Sequence, residues 1–240
     1  MRILPVSSTV VPATHSVSIY SYYDVHEIDA VNLLSGGQRW YGELFDTELQ
    51  RVININVPNI DGSVPAYFEV SIASSANTSS GTSHSYSVNG TSIGSFSLPV
   101  ASDYARQEML MTLNSPPSNL PLLISVNRDA PSTLTYLDRI LLNARRQLVF
   151  VGTQINFRDL NSIGVGSVSE FTIQNLPSSQ GFVWEITDRH QPFAVEGTFS
   201  GSNFTFRLPT DNLREFVASD GVNFYEPTKV GEVVNQNLYE

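Results

Sequence analysis

The chain has 240 residues, of which 41% are hydrophobic and only 15% are charged, a balance typical of half-buried strands joined by polar turns. Its formal net charge of −10 argues against nucleic acid and anionic membranes as partners, because both are bound through clusters of Lys and Arg. The sequence contains no cysteine, which excludes disulfides, thiolate metal sites and a cysteine nucleophile within these residues.

The first predicted elements are a strand and a short helix. Residues 16–22 alternate apolar and polar side chains, which predicts a strand. Over residues 26–34 the apolar side chains recur at helical spacing, and a Ser-Gly-Gly sequence ends the pattern, so one or two helical turns are expected. An aromatic-rich segment follows at 38–45. We expect residues 1–45 to lead into a sandwich.

A dense series of strand patterns begins near residue 48. The alternating segments are 51–57, 66–74, 84–88, 91–99, 107–113, 121–127, 133–143 and 147–157. Asn89-Gly90 is the strongest hairpin signal, because Asn-Gly favours the positive φ angles of a type I′ turn. Short strands at this spacing predict a jelly-roll-like β-sandwich over residues 46–158.

A second, shorter series follows Gly164 and Gly166. Its segments are 169–174, 181–187, 193–199, 203–208 and 215–219. They predict a smaller antiparallel β unit over residues 159–225, followed by a connector at 226–240. No βαβ alternation occurs, so the expected fold class is all-β.

The aromatic residues give the one candidate binding site. Trp40, Tyr41, Tyr22 and Tyr23 together could form a platform on which sugar rings stack. The competing interpretation is that Trp40 fills the core where the chain enters the domain, with the tyrosines half buried. No catalytic constellation and no cofactor motif is found, and no two histidines share metal-ligand spacing.

An acidic cluster lies at the end of the first predicted strand. Asp24, Glu27 and Asp29 flank His26, and oxygen ligands of this kind could hold Ca²⁺ or another metal ion. The alternative is a solvated helix start with Asp24 as its N-cap. We predict no metal site here, and the sequence leaves ion binding by this cluster open.

The two ends of the chain suggest a piece of a longer polypeptide. No apolar run approaches the ~20 residues that cross a bilayer, and the first residues lack the apolar region of a signal peptide. If the parent protein is exported, we expect an internal fragment or a mature form. Residues 234–240 alternate apolar and polar side chains to the last position, as in a chain cut mid-protein.

Several segments, in this order, resemble one family. Residues 37–45, with Arg39, Trp40 and Phe45, are similar to an R-W-x-G-E-x-F element of gingipain-like C-terminal-signal peptidases (sortases) of the type IX secretion system. That element lies in the region that precedes their C25 peptidase domain. Residues 136–140 and 145–148 resemble the last strands of the sandwich in that region. Residues 183–188 resemble its V-W-D-V-T-D stretch, followed by a matching Pro192, and residues 235–238 resemble the join to the peptidase domain.

The resemblance implies a non-catalytic region of a Bacteroidetes cysteine peptidase that removes sorting signals from exported proteins. The family's catalytic His and Cys would lie beyond residue 240, so this chain itself is expected not to be an enzyme. The implied partners are the peptidase domain of the same polypeptide and outer-membrane secretion components, at the cell surface or the periplasmic face. The alternative is a free-standing carbohydrate-binding β-sandwich whose partner is a polysaccharide.

Overall fold

A computed structural model describes residues 3–33, 35–36, 39–75, 81–101, 103–128, 130–224 and 226–232. These residues form eighteen strands and one turn of 3-10 helix at Leu160–Ser162, which confirms the all-β prediction. The strands are β1 (Leu4–Ser7), β2 (His15–Val17), β3 (Ile19–Glu27), β4 (Leu44–Phe45), β5 (Gln50–Asn56), β6 (Ala66–Ser74), β7 (Thr82–Val88), β8 (Thr91–Leu98), β9 (Ala105–Leu113), β10 (Asn119–Arg128), β11 (Thr135–Gln147), β12 (Gln154–Arg158), β13 (Val168–Ile173), β14 (Phe182–Glu185), β15 (Phe193–Glu196), β16 (Thr198–Ser200), β17 (Asn203–Pro209) and β18 (Glu215–Ser219).

The first unit is a sandwich of two antiparallel sheets, one of five strands and one of four. Sheet I has the order β3-β11-β6-β9, with β4 added beside β11, and sheet II has the order β5-β10-β7-β8. Without β4, consecutive strands of this unit lie in opposite sheets, apart from the β7–β8 hairpin, which is the connectivity of a jelly roll. Alternate residues such as Phe68, Val70, Leu122 and Ile124 point inward and are fully buried, because side chains alternate faces along a strand.

The second unit is a smaller sandwich around an aromatic core. Its sheets have the orders β1-β15-β14-β18-β12 and β16-β17-β13-β2. Phe157, Phe171, Phe206 and Phe216 are buried between them, with ring centroids as close as 4.9 Å for Phe171 and Phe216. Large aromatic rings allow a small unit to bury a sizeable apolar area from few residues.

The second unit takes strands from both sides of the jelly roll. β1 pairs in parallel with β15, and β2 pairs in parallel with β13. β12 pairs with β18 rather than with a strand of the first unit. The strand predicted at 16–22 is divided between β2 in the second unit and β3 in sheet I. Residues 154–158, predicted within the sandwich, belong to the second unit as β12, and that unit is not purely antiparallel. An alternating pattern shows that a strand has a buried face, but not which sheet it joins.

The predicted helix over 26–34 is wrong for the residues that the structure describes. β3 continues through Glu27, and Val31 then forms an isolated bridge with Tyr41. Asp24 is not an N-cap, because it lies within β3. The few apolar residues at helical spacing were too short a pattern to outweigh backbone pairing with the 39–45 segment.

The predicted hairpin between β7 and β8 is confirmed. Asn89 and Gly90 have φ angles of 48° and 79°, as a type I′ turn requires. Gly90→Ala is expected to lower the free energy of unfolding by about 1–2 kcal/mol, because a Cβ penalises the left-handed conformation. No atom lies within 4 Å of that Cβ, so a clash would not contribute. Urea unfolding measures the change. Gly90→Asn should cost less, and equal losses for the two variants would contradict the backbone explanation.

No helix among the described residues is long and apolar enough to cross a membrane.

Candidate functional site

A cleft of about 500 Å³ lies where the two units meet. Its walls are residues 20–25 of β3 and residues 154–158 of β12, with Arg146 of β11 between them. Arg189 and Glu215 of the second unit also line it. Clefts of this size at the junction of two units are common ligand sites.

Both walls of the cleft are strands at the edge of a sheet. β3 is the last strand of sheet I, and β12 is the last strand of the five-stranded sheet of the second unit. An edge strand has N–H and C=O groups that no neighbouring strand uses. The cleft therefore offers main-chain hydrogen-bonding groups in addition to its side chains.

Arg146 is a buried cation at the centre of the cleft. Arg146 is only 6% exposed. Its guanidinium lies 5.4 Å from the ring centroid of Tyr22 and 5.9 Å from that of Tyr20. Its Nε and Nη2 atoms are buried and have no hydrogen-bond partner among the described residues. Burying unpaired guanidinium nitrogens is costly, so the site is suited to an oxyanion that would accept from them.

Arg158 and the tyrosines complete the polar lining. The Arg158 guanidinium lies 4.6 Å from the Tyr23 ring centroid, and its Nη1 donates to Glu215 Oε1 at 2.7 Å. Burial, and secondarily the neighbouring Asp24 carboxylate, raise the pKa of Tyr22 to about 12. Tyr22 is therefore a neutral phenol at physiological pH, and its hydroxyl donates to Asp24 Oδ2 at 3.3 Å.

A buried ion pair ties β3 and β11 to the chain just after β12. Arg145 Nη1 donates to Asp159 Oδ1 and also to Ser21 Oγ, the latter at 2.8 Å. Arg145 Nη2 donates to the carbonyl of Ile19 at 2.9 Å. Ser21 Oγ also accepts from the Leu160 N–H at 3.1 Å. This network fixes the position of one wall of the cleft relative to the other.

The structure does not bring the four residues of the predicted aromatic platform together on one surface. Tyr22 and Tyr23 line the cleft, but as neighbours in β3 they point to opposite faces of sheet I. Tyr41 is 7% exposed and packs against Tyr136, whereas Trp40 is 44% exposed. Sugar stacking on Trp40 stays a prediction.

The acidic cluster is dispersed along β3 and the segment that follows it. Asp24 lines the cleft, and His26 Nε2 lies 2.6 Å from Glu43 Oε1. Over the described residues, no three His, Asp or Glu side chains come close enough to hold a metal ion. The prediction of no metal site at Asp24, Glu27 and Asp29 stays a prediction.

The arginines of the cleft are not among the site residues predicted from the sequence. Arg145-Arg146 is a pair of neighbouring basic residues in a chain with few of them, and that pair was the available signal. Arg158 lies twelve residues later in the chain and reaches the same cleft. Only the packing of β12 against β3 brings these guanidinium groups together.

Comparison with solved structures shows a likeness over almost the whole chain. No family model and no curated protein matches the chain. The crystal structure of dimeric latent PorU from Porphyromonas gingivalis matches 98% of this chain with a TM-score of 0.80 at 21% sequence identity. The match covers 23% of the PorU chain, so this chain spans about a quarter of its length. The two units together therefore have the fold of a segment of PorU.

Proposed function

We propose that this chain is the non-catalytic β-rich region of a gingipain-like C-terminal-signal peptidase of the type IX secretion system. The observation that carries the proposal is the match of 98% of the chain to 23% of PorU, a signal peptidase of that system. The sequence motifs at 37–45 and 183–188 support the same assignment independently of the fold. The absence of cysteine means that another part of the polypeptide would supply the nucleophile.

In this proposal the region acts as a scaffold that docks the peptidase domain and helps admit exported proteins for processing. The location would be an outer-membrane-associated polypeptide, with secretion components as further partners. Polysaccharide binding at exposed Trp40 is the alternative function. The scaffold role is favoured because the chain matches PorU along almost its whole length rather than over one sandwich.

The outer face of sheet I is the surface that we assign to docking of the peptidase domain. The strand register places Val25 opposite Leu141, Leu141 opposite Glu69, and Glu69 opposite Leu110, so all four side chains share one face. Val25 and Leu110 are 45% and 67% exposed, and Tyr67, two residues before Glu69, is also exposed. Exposed apolar residues that cluster on one surface are typical of protein interfaces.

The test pairs the purified chain with the peptidase domain of the same polypeptide. We expect binding by calorimetry, no cleavage of a sorting-signal peptide by the chain alone, and affinity about tenfold weaker for Leu110→Glu. Val165→Glu is the matched control, because Val165 is fully exposed on the second unit. Cleavage by the isolated chain, or no binding to the peptidase domain, would contradict the proposal.

A further inference from the structure

We propose that the cleft between β3 and β12 binds an extended acidic peptide segment, with the peptide main chain paired to the edge of β3 and its carboxylate at Arg146 and Arg158. The inference rests on the geometry of the cleft and does not depend on the assignment to a peptidase. The ligand is defined by its chemistry: an extended backbone that carries a carboxylate.

The main chain of β3 presents donors and acceptors to the cleft. The Val25 N–H donates to Asp24 Oδ1 at 2.9 Å. The Leu148 N–H donates to the Ser18 carbonyl, and the register of β3 with β11 then places Val25 where its N–H and C=O point away from the sheet. In an antiparallel pair this orientation recurs at every second residue, which gives Tyr23 the same orientation. Once the Asp24 carboxylate releases the Val25 N–H, the edge from Tyr23 to Val25 can accept one more strand, the mode called β-augmentation.

The side chains of the cleft select for negative charge. Arg146, Arg158 and Arg189 line it against Asp24 and Glu215, which leaves one positive charge in excess, in a chain of net charge −10. Arg146 Nε and Nη2 and Arg158 Nε are buried and lack hydrogen-bond partners among the described residues. A carboxylate would satisfy several of these donors at once and neutralise a buried cation.

A peptide fits these features better than an acidic sugar. Main-chain groups that repeat along a strand edge match another extended backbone, whereas a sugar offers no such repeat. The Arg158 guanidinium already lies over the Tyr23 ring at 4.6 Å, so that face of the ring cannot stack on a sugar. A volume of about 500 Å³ suits a few residues of an extended segment.

The experiment measures fluorescence anisotropy of the full chain with short labelled peptides. The probe alternates valine and threonine around a central glutamate, with an amidated C-terminus. Its twins carry glutamine in place of glutamate, N-methyl groups on alternate amides, or a glutamine centre with a free C-terminal carboxylate. We expect binding of the glutamate probe, at least tenfold weaker binding of the amidated glutamine twin, and loss of binding on N-methylation. Binding of the free-carboxylate twin would show that a chain terminus also serves as the carboxylate.

Variants test the assigned residues. Arg146→Gln should weaken binding of the glutamate probe at least tenfold and leave the weak binding of the amidated glutamine twin unchanged. Arg207→Gln removes an arginine of β17 outside the cleft. It should change neither the binding of the glutamate probe nor that of the amidated glutamine twin. If circular dichroism shows that Arg146→Gln does not fold, Arg158→Gln replaces it. The Arg158 side chain is 30% exposed, so its substitution disturbs the core less. Three results would overturn the proposal. The first two are equal binding of the glutamate and amidated glutamine peptides, and undiminished binding of the N-methyl peptide. The third is displacement of the probe by an oligogalacturonate but not by unlabelled glutamate peptide.

Discussion

Asp159→Ala is expected to lower the free energy of unfolding by about 3–5 kcal/mol, because it removes one partner of a buried ion pair. Asp159 is 1% exposed and accepts from Arg145 Nη1 and from Ser21 Oγ. It also accepts from the Asn161 N–H at 3.3 Å, which caps the 3-10 turn. The substitution would remove the hydrogen-bonded counter-ion of the part-buried Arg145 guanidinium and loosen the contact of β3 with the second unit.

Chemical denaturation of the wild type and the variant measures this loss. Glu108→Ala is the matched control, since Glu108 forms its ion pairs with Arg106 and Arg139 at a 42% exposed position. Exposed pairs of this kind contribute about 0–1 kcal/mol. The double variant Arg145→Met, Asp159→Leu should recover part of the lost stability, because it removes both buried charges. A loss below about 1 kcal/mol for Asp159→Ala would show that the pair does not hold the units together.

His84 is expected to make the jelly roll less stable in acid, by about 3 kcal/mol between pH 6.5 and pH 4. The side chain lies in the core beside Phe96 and is 1% exposed, and neither ring nitrogen has a hydrogen-bond partner among the described residues. Burial lowers the pKa of His84 to about 4. Between that value and the ordinary pKa near 6.5, the unfolded chain binds a proton that the folded chain does not, so stability falls as the pH falls.

The measurement compares His84→Leu with the wild type at pH 7 and at pH 4. All other titrating groups are common to both proteins, so their contributions cancel in the difference. We expect the variant to match or exceed the wild type at pH 7, because it removes an unsatisfied buried polar group. At pH 4 the variant should be more stable than the wild type by about 3 kcal/mol beyond any difference at pH 7. Parallel pH profiles for the two proteins would rule out His84 as the source.

Local patterns in the sequence determined most of the strands. Residues 51–57 and 66–74 carry largely alternating patterns, and both form strands at nearly the predicted bounds, β5 and β6. Asn89-Gly90 specified its turn because few residue pairs adopt positive φ at both positions. Two predictions lie outside the described residues: the join to a peptidase domain at 235–238 and the part of the connector beyond residue 232.

The all-β class, the alternation that fills each core and the acidic charge could be predicted, since each follows from residue types at short spacing. The place of β1 and β2 in the second unit, and the meeting of Arg146 and Arg158 in one cleft, became visible in the folded chain alone. This is because a strand's partners are set by the competition among all available edges and apolar faces. That competition involves residues more than a hundred positions apart, and no local pattern contains it.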